Sequence, residues 1–201
     1  MRNSLNLPNA ITVARILAVP FLVLSLFQIP NTESPLRWVS VLIFIVIMAS
    51  DGIDGAIARK RGLITNLGKI LDPIADKALL GGALITLSIL GEVFWWVTIL
   101  ILVRELGITV YRLLVIKKRV IAASGGGKLK TIVQGIMVGF VISPLTAWFP
   151  NDAYTAFELG LVFLATALTL YSGLQYLVAA AKARGLAVPG LPRGAPGLEI
   201  S

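Results

Sequence analysis

The amino-acid sequence predicts an all-α, polytopic membrane protein with six transmembrane helices and both termini on the cytoplasmic side. Three observations carry that prediction. Hydrophobic residues fill 57% of the 201 positions and charged residues only 14%, against roughly 45–50% and about 25% in soluble domains. The apolar residues gather into six stretches, over 9–29, 36–58, 72–90, 94–116, 129–149 and 154–181, each close to the ~20 residues that cross a bilayer. The basic residues fall on one side of that layout, which is the charge asymmetry of a membrane protein.

The first stretch opens at Pro8-Asn9, with a proline suited to a first helical turn. The residues before it, Arg2 to Leu7, read as a short amphipathic stretch along the interface. This apolar run is too long, and followed too soon by another, for a cleavable signal peptide. Arg59, Lys60, Arg61 and Lys69 lie between the second and third stretches, and Lys117, Lys118, Arg119, Lys128 and Lys130 between the fourth and fifth. Lys182 and Arg184 follow the sixth. The connections on the other side carry Glu33, Arg37, Glu92, Asp152 and Glu158, nearly all acidic. The positive-inside rule then puts both termini in the cytoplasm. Residues 1–182 form one membrane domain, and the Gly- and Pro-rich residues 183–201 a flexible tail. Trp38, Trp95, Trp96 and Trp148 fall near the ends of stretches, as interfacial anchors do.

Composition also limits the chemistry. The formal net charge of +8 suits anionic lipid, and in so apolar a chain it does not indicate nucleic acid. There is no cysteine and no histidine, so disulfides, thiolate nucleophiles, imidazole bases and the usual zinc ligands are excluded. What remains is carboxylate, hydroxyl, Lys and Arg chemistry. Ser124-Gly125-Gly126-Gly127-Lys128 lacks the spacing of a phosphate-binding loop and a strand before it, and reads as a flexible loop.

The informative region runs from Asp51 to Asp76. Asp51 and Asp54 fall late in the second stretch, Asp72 and Asp76 early in the third, at spacings that put each pair on one helix face. A carboxylate at the centre of a spanning helix costs about 2.5–3.5 kcal/mol. Four of them in one pocket would repel one another, and a divalent cation removes the conflict. All-oxygen ligation favours Mg²⁺, Mn²⁺ or Ca²⁺ over zinc. Capping and pairing with loop cations is the bland alternative, but Asp51 and Asp54 sit at the wrong end of their helix for the macrodipole. Small residues at Gly55, Ala58 and Gly68 open the backbone to a bulky group, and Arg59 adds a planar cation for phosphate oxygens. The combination points to a metal-bound diphosphate at the cytoplasmic interface.

The run Asp51-Gly-Ile-Asp54-Gly55-Ala-Ile-Ala58-Arg59, then eight residues, Gly68, three residues, Asp72, three residues and Asp76, resembles the signature of the CDP-alcohol phosphatidyltransferase family. All eight fixed positions are present, and the six-stretch layout resembles the family fold over all but the tail. The resemblance implies two ions, Mg²⁺ or Mn²⁺, held by Asp51, Asp54, Asp72 and Asp76 on the diphosphate of CDP-diacylglycerol. It implies that Asp76 also takes the proton of an acceptor hydroxyl, which attacks the phosphorus next to the lipid as CMP leaves. It carries donor contacts onto Asn9, Thr12, Gly55, Ala58, Arg59, Thr65 and Gly68, and it implies a homodimer.

Leu7-Pro8-Asn9-Ala-Ile-Thr12-Val-Ala-Arg15, Arg104-Glu105, Gly127-Lys128-Leu-Lys130-Thr131 and Leu174-Gln175-Tyr176-Leu177 resemble family members whose acceptor is glycerol 3-phosphate. A phosphorylated acceptor needs further cations, and Arg104, Arg112, Lys128 and Lys130 are available for it. Arg104 with Glu105 reads equally as an intramembrane ion pair, and Arg15 as a packing or snorkelling residue. Inositol phosphate would use the same cations, and phosphatidylglycerol is a third acceptor within the family, so charge alone leaves the acceptor open. A reading from another class, cation transport through the acidic cluster, has against it that the outer half carries no matching carboxylates.

Overall fold

The computed structural model describes the backbone of residues 7–61, 66–115 and 126–183, and within them the side chains of 9–52, 68, 71–111 and 129–178. The chain forms α1 (Leu7–Gln28), α2 (Arg37–Arg61), α3 (Asn66–Ile89), α4 (Trp95–Val115), α5 (Gly126–Ile142), α6 (Leu145–Trp148) and α7 (Asp152–Ala183). Among the described residues there is no strand. The all-helical expectation holds. Among the described residues two helices, over Asn9–Gln28 and Asp152–Val178, are long and apolar enough to cross a membrane by length and composition.

The long helices divide into a packed face and an apolar outer face. In α1, Thr12, Arg15, Val19, Leu22 and Leu26 are buried at helical spacing, while Leu17, Phe21 and Leu24 are more than half exposed. An outer surface of large apolar side chains is unfavourable against water and natural against lipid. The buried faces of α1 to α5 and α7 meet in one core, with Leu22, Phe44, Leu84, Ile101, Met137 and Val162 among its members. Helix α1 packs on α2 and α3, α4 lies between α3 and α7, and α5 between α2 and α7. Lipid tails are as apolar as leucine, so such helices associate through close approach at small residues. At Gly82 of α3 an added Cβ would come within 3.0 Å of Val19 on α1, and at Gly135 of α5 it would overlap the end of Met48 on α2.

Three boundaries differ from the sequence expectation. Helix α2 runs on to Arg61 and α3 begins at Asn66. Asp51, Asp72 and Asp76 therefore lie well inside their helices and do not mark helix ends. The stretch expected over 129–149 stops at Ile142, because Ser143-Pro144 interrupts it and Pro144 has no N–H for the helical ladder, and a single turn, α6, follows. Residues 2–6 of the expected amphipathic stretch, Thr65, the Lys117-Lys118-Arg119 run, the start of the Gly-rich loop and residues 184–201 lie outside the described residues.

The end of the bundle remote from the Asp51–Asp76 region is closed by polar and aromatic contacts. Arg37, at 0% exposure, donates to Glu92 in the α3–α4 turn. Burial pushes the Glu92 carboxyl above its usual value, with Arg37 opposing it. Trp38 and Trp148 meet edge to face at 6.2 Å, and the Trp148 indole N–H donates to the Glu33 carbonyl at 2.8 Å. All four tryptophans are partly exposed, as interfacial anchors are.

Candidate active site

Helices α1, α2 and α3 bring part of the predicted constellation together. Asn9 and Thr12 are buried near the start of α1, and the Thr12 hydroxyl donates to Asp72 Oδ1 at 2.9 Å. Arg15, one turn further along, pairs with Asp51 of α2 and also reaches Ser50 Oγ at 3.4 Å. Arg15 thus ties α1 to α2 through a carboxylate. Asp51 and Asp72 remain exposed and Asp76 is half-buried, so all three are open to solvent or ligand. Gly68 is buried one turn before Asp72. Asp54, Gly55, Ala58 and Arg59 continue α2, Arg112 continues α4 and Lys128 opens α5, but their side chains lie outside the described residues.

The donor chemistry fits a hard divalent cation. Only oxygen ligands are present, and no imidazole or thiolate exists anywhere in the chain. Among the described residues no three acidic groups converge on one point, and Asp51 is engaged by Arg15. Asp54, which would complete the set, stands one turn after Asp51 on α2.

A second group of charges lies beside Asp76. Glu105, in the interior of α4 and 2% exposed, accepts bonds from three cations. Its Oε1 takes Arg104 Nη1 at 2.8 Å and Lys130 Nζ, and its Oε2 takes Lys77 Nζ. Lys77 Nζ also donates to Asp76 Oδ2 at 3.2 Å, linking the two groups. Arg104 reaches Ser172 Oγ of α7 at 2.9 Å. Gly173 gives it room, since a Cβ there would come within 3.2 Å of Arg104 Cγ. Of the cations assigned to an acceptor phosphate, Arg104 and Lys130 are therefore brought together.

Lys77 and Glu105 were missing from the predicted site. One signal was available, because any charge inside a spanning segment is a functional candidate. Their mutual contact spans 28 positions of sequence, and nothing in local spacing reports it.

Asp76, Lys77, Glu105 and Lys130 line a cavity of about 40 Å³ together with Thr131 and Gln134. Phe44, Met48 and Gly135 belong to its wall and also line an apolar groove of about 380 Å³ between α2 and α5. A charged pocket therefore shares residues with an apolar groove, an arrangement suited to an amphiphile.

Comparison with known proteins agrees with this chemistry. The chain is 43% identical over 175 residues, 87% of its length and 81% of the relative's, to a "Probable phosphatidylglycerophosphate synthase" of Mycobacterium tuberculosis. It is 36% identical over 183 residues, covering 87% of this chain and 94% of the relative, to proteins named CDP-diacylglycerol--glycerol-3-phosphate 3-phosphatidyltransferase from Shigella flexneri and Escherichia coli. The family pattern for CDP-alcohol phosphatidyltransferase matches residues 5–180, a span that takes in every helix carrying the carboxylates and the buried cations. The chain belongs to the CDP-alcohol phosphatidyltransferase family, whose members depend on divalent metal.

Proposed function

We propose that this chain transfers the phosphatidyl group of CDP-diacylglycerol to glycerol 3-phosphate, giving phosphatidylglycerophosphate and CMP. The observation that carries the reading is a surplus of positive charge, in which Lys77, Arg104 and the buried Lys130 face two carboxylates, Glu105 and Asp76. A neutral acceptor would have no use for that surplus, whereas a phosphorylated one supplies the missing anion. The names of the relatives support the same acceptor and do not favour inositol phosphate, phosphatidylglycerol or cation transport.

In this reading Asp51, Asp54, Asp72 and Asp76 hold two divalent ions, Mg²⁺ or Mn²⁺. Such ions, when bound, neutralise a diphosphate and stabilise its entering and leaving oxygens. The Thr12 hydroxyl steadies Asp72. Asn9, Thr12, Gly55, Ala58, Arg59, Thr65 and Gly68 receive the nucleotide and diphosphate. Arg104, Arg112, Lys128 and Lys130 receive the acceptor phosphate, and the α2–α5 groove suits an acyl chain of the donor. Asp76 accepts the proton of the acceptor hydroxyl. The hydroxyl oxygen bonds to the phosphorus that carries diacylglycerol, the bond from that phosphorus to CMP breaks, and CMP leaves with the electron pair.

Six spans with both termini in the cytoplasm put this chemistry at the cytoplasmic face of the cell membrane, where the basic connections meet anionic lipid. Residues 1–182 act as one membrane domain, residues 183–201 as a tail, and the working unit is a homodimer. Mass spectrometry of the lipid formed by detergent-purified protein from CDP-diacylglycerol and glycerol 3-phosphate tests the reading. Phosphatidylglycerophosphate is expected, and CMP formed without it would overturn the assignment.

A further inference from the structure

We infer that Glu105 is a positioning residue for the acceptor phosphate, acting through Lys77 and Lys130, and that Lys77 is a further cation of the acceptor pocket. The inference rests on the reading above that the acceptor is phosphorylated. The cations come from three helices, Lys77 from α3, Arg104 from α4 and Lys130 from α5, and they meet at one carboxylate. Lys130 is 4% exposed, and an ammonium so deeply buried is costly without a partner. Glu105 supplies that partner.

Three cations face two carboxylates, Glu105 and, through Lys77, Asp76. The group is left with an excess of positive charge, which a purely structural ion network has no reason to keep. Lys77 and Lys130 face the cavity that Asp76, Thr131 and Gln134 also line. Gln134 is itself held, its Nε2 donating to Thr169 Oγ1 at 2.8 Å. Glu105 cannot contact a phosphate directly, because two anions repel and both of its oxygens are engaged. Its effect on the acceptor runs through the placement of the ammonium groups. Lys77 also touches Asp76, so the same side chain sets the distance between the acceptor phosphate and the group that takes the hydroxyl proton.

The test is a full kinetic comparison of detergent-purified wild type, Glu105→Gln, Glu105→Asp and Lys77→Met, with KM measured for each substrate. Glu105→Gln should raise KM for glycerol 3-phosphate about ten-fold or more and leave KM for CDP-diacylglycerol within about two-fold. Glu105→Asp, which keeps the charge, should recover most of the loss, and Lys77→Met should share the selective rise. An unchanged acceptor KM in Glu105→Gln, or an equal rise for both substrates, overturns the inference. Should Glu105→Gln fail to fold, Lys77→Met decides, and an unchanged acceptor KM there overturns it equally. A wild-type enzyme that does not use glycerol 3-phosphate would be recognised before any variant is compared, and would remove the reading on which the inference rests.

Discussion

Among the described residues Asp76 is where the two charged groups of the site meet, joined to the cations through Lys77 at 3.2 Å. In the proposed mechanism it receives the acceptor proton, a role worth typically 10²- to 10⁴-fold in rate. Asp76→Asn keeps the size of the side chain and removes that role, so CMP release should fall by at least about a hundred-fold with an unchanged melting temperature. Retained turnover in a folded Asp76→Asn protein would contradict the assignment. Thr12 acts more gently. Thr12→Val removes a hydrogen bond to the Asp72 carboxylate, worth about 1.5–3 kcal/mol for a charged partner, and should weaken CDP-diacylglycerol binding measurably without abolishing turnover. The spacing of Asp51, Asp54, Asp72 and Asp76 was legible in the sequence, and the structure puts these positions on the neighbouring helices α2 and α3. The Glu105 cluster was not, since its contacts to Lys77 and Lys130 cross 28 and 25 positions and depend on how three helices are rotated about their axes. Arg15 was legible as a packing residue, though its partner Asp51 was not.

At the scale of elements, helix contacts made through glycines hold the site in place. Gly82 lets α3 approach α1, and a Cβ there would come within 3.0 Å of Val19 and 3.4 Å of Val23. The same pair of helices carries the Thr12–Asp72 bond. Gly82→Val should therefore separate α1 from α3, cost about 1–3 kcal/mol as overpacking does, and raise KM for CDP-diacylglycerol. A melting temperature equal to wild type would show that the approach has slack. The length of the apolar runs was enough to foresee the main helices, which carry exposed apolar side chains as well as buried ones. Their ends were harder to read. The first turns of α3 are polar, with Asn66 and Lys69, so a count of apolar residues starts too late. Pro144 breaks an otherwise apolar run and ends α5 at Ile142.

Across the whole molecule the two ends have separate tasks. In the proposed reading the end with Asp51, Asp72 and Asp76 carries the chemistry, and the end with Arg37, Glu92 and the tryptophan contacts fastens the bundle. Arg37→Met leaves Glu92 buried without its cation, a change that costs on the order of 3–5 kcal/mol. The sign of its pH dependence follows from Glu92, whose carboxyl burial already pushes above its usual value with Arg37 in place. Without Arg37 the folded state holds that proton more tightly still, so stability is present at acid pH and lost as pH rises through the raised value. Thermal unfolding should thus find the Arg37→Met defect large at neutral pH and smaller in acid, with both KM values unchanged for the fraction that is folded. A defect independent of pH would contradict this account of Glu92.

The central claim is that carboxylates and buried cations act together on a nucleotide-linked lipid and a phosphorylated acceptor. The most direct measurement is CMP release by the detergent-purified protein from CDP-diacylglycerol, with glycerol 3-phosphate, inositol phosphate or glycerol as acceptor, before and after chelation of divalent metal. The account predicts release with glycerol 3-phosphate, little with glycerol, loss on chelation and recovery with Mg²⁺ or Mn²⁺. Release with inositol phosphate alone would contradict the acceptor, and release that survives complete chelation would contradict the role given to Asp51, Asp54, Asp72 and Asp76.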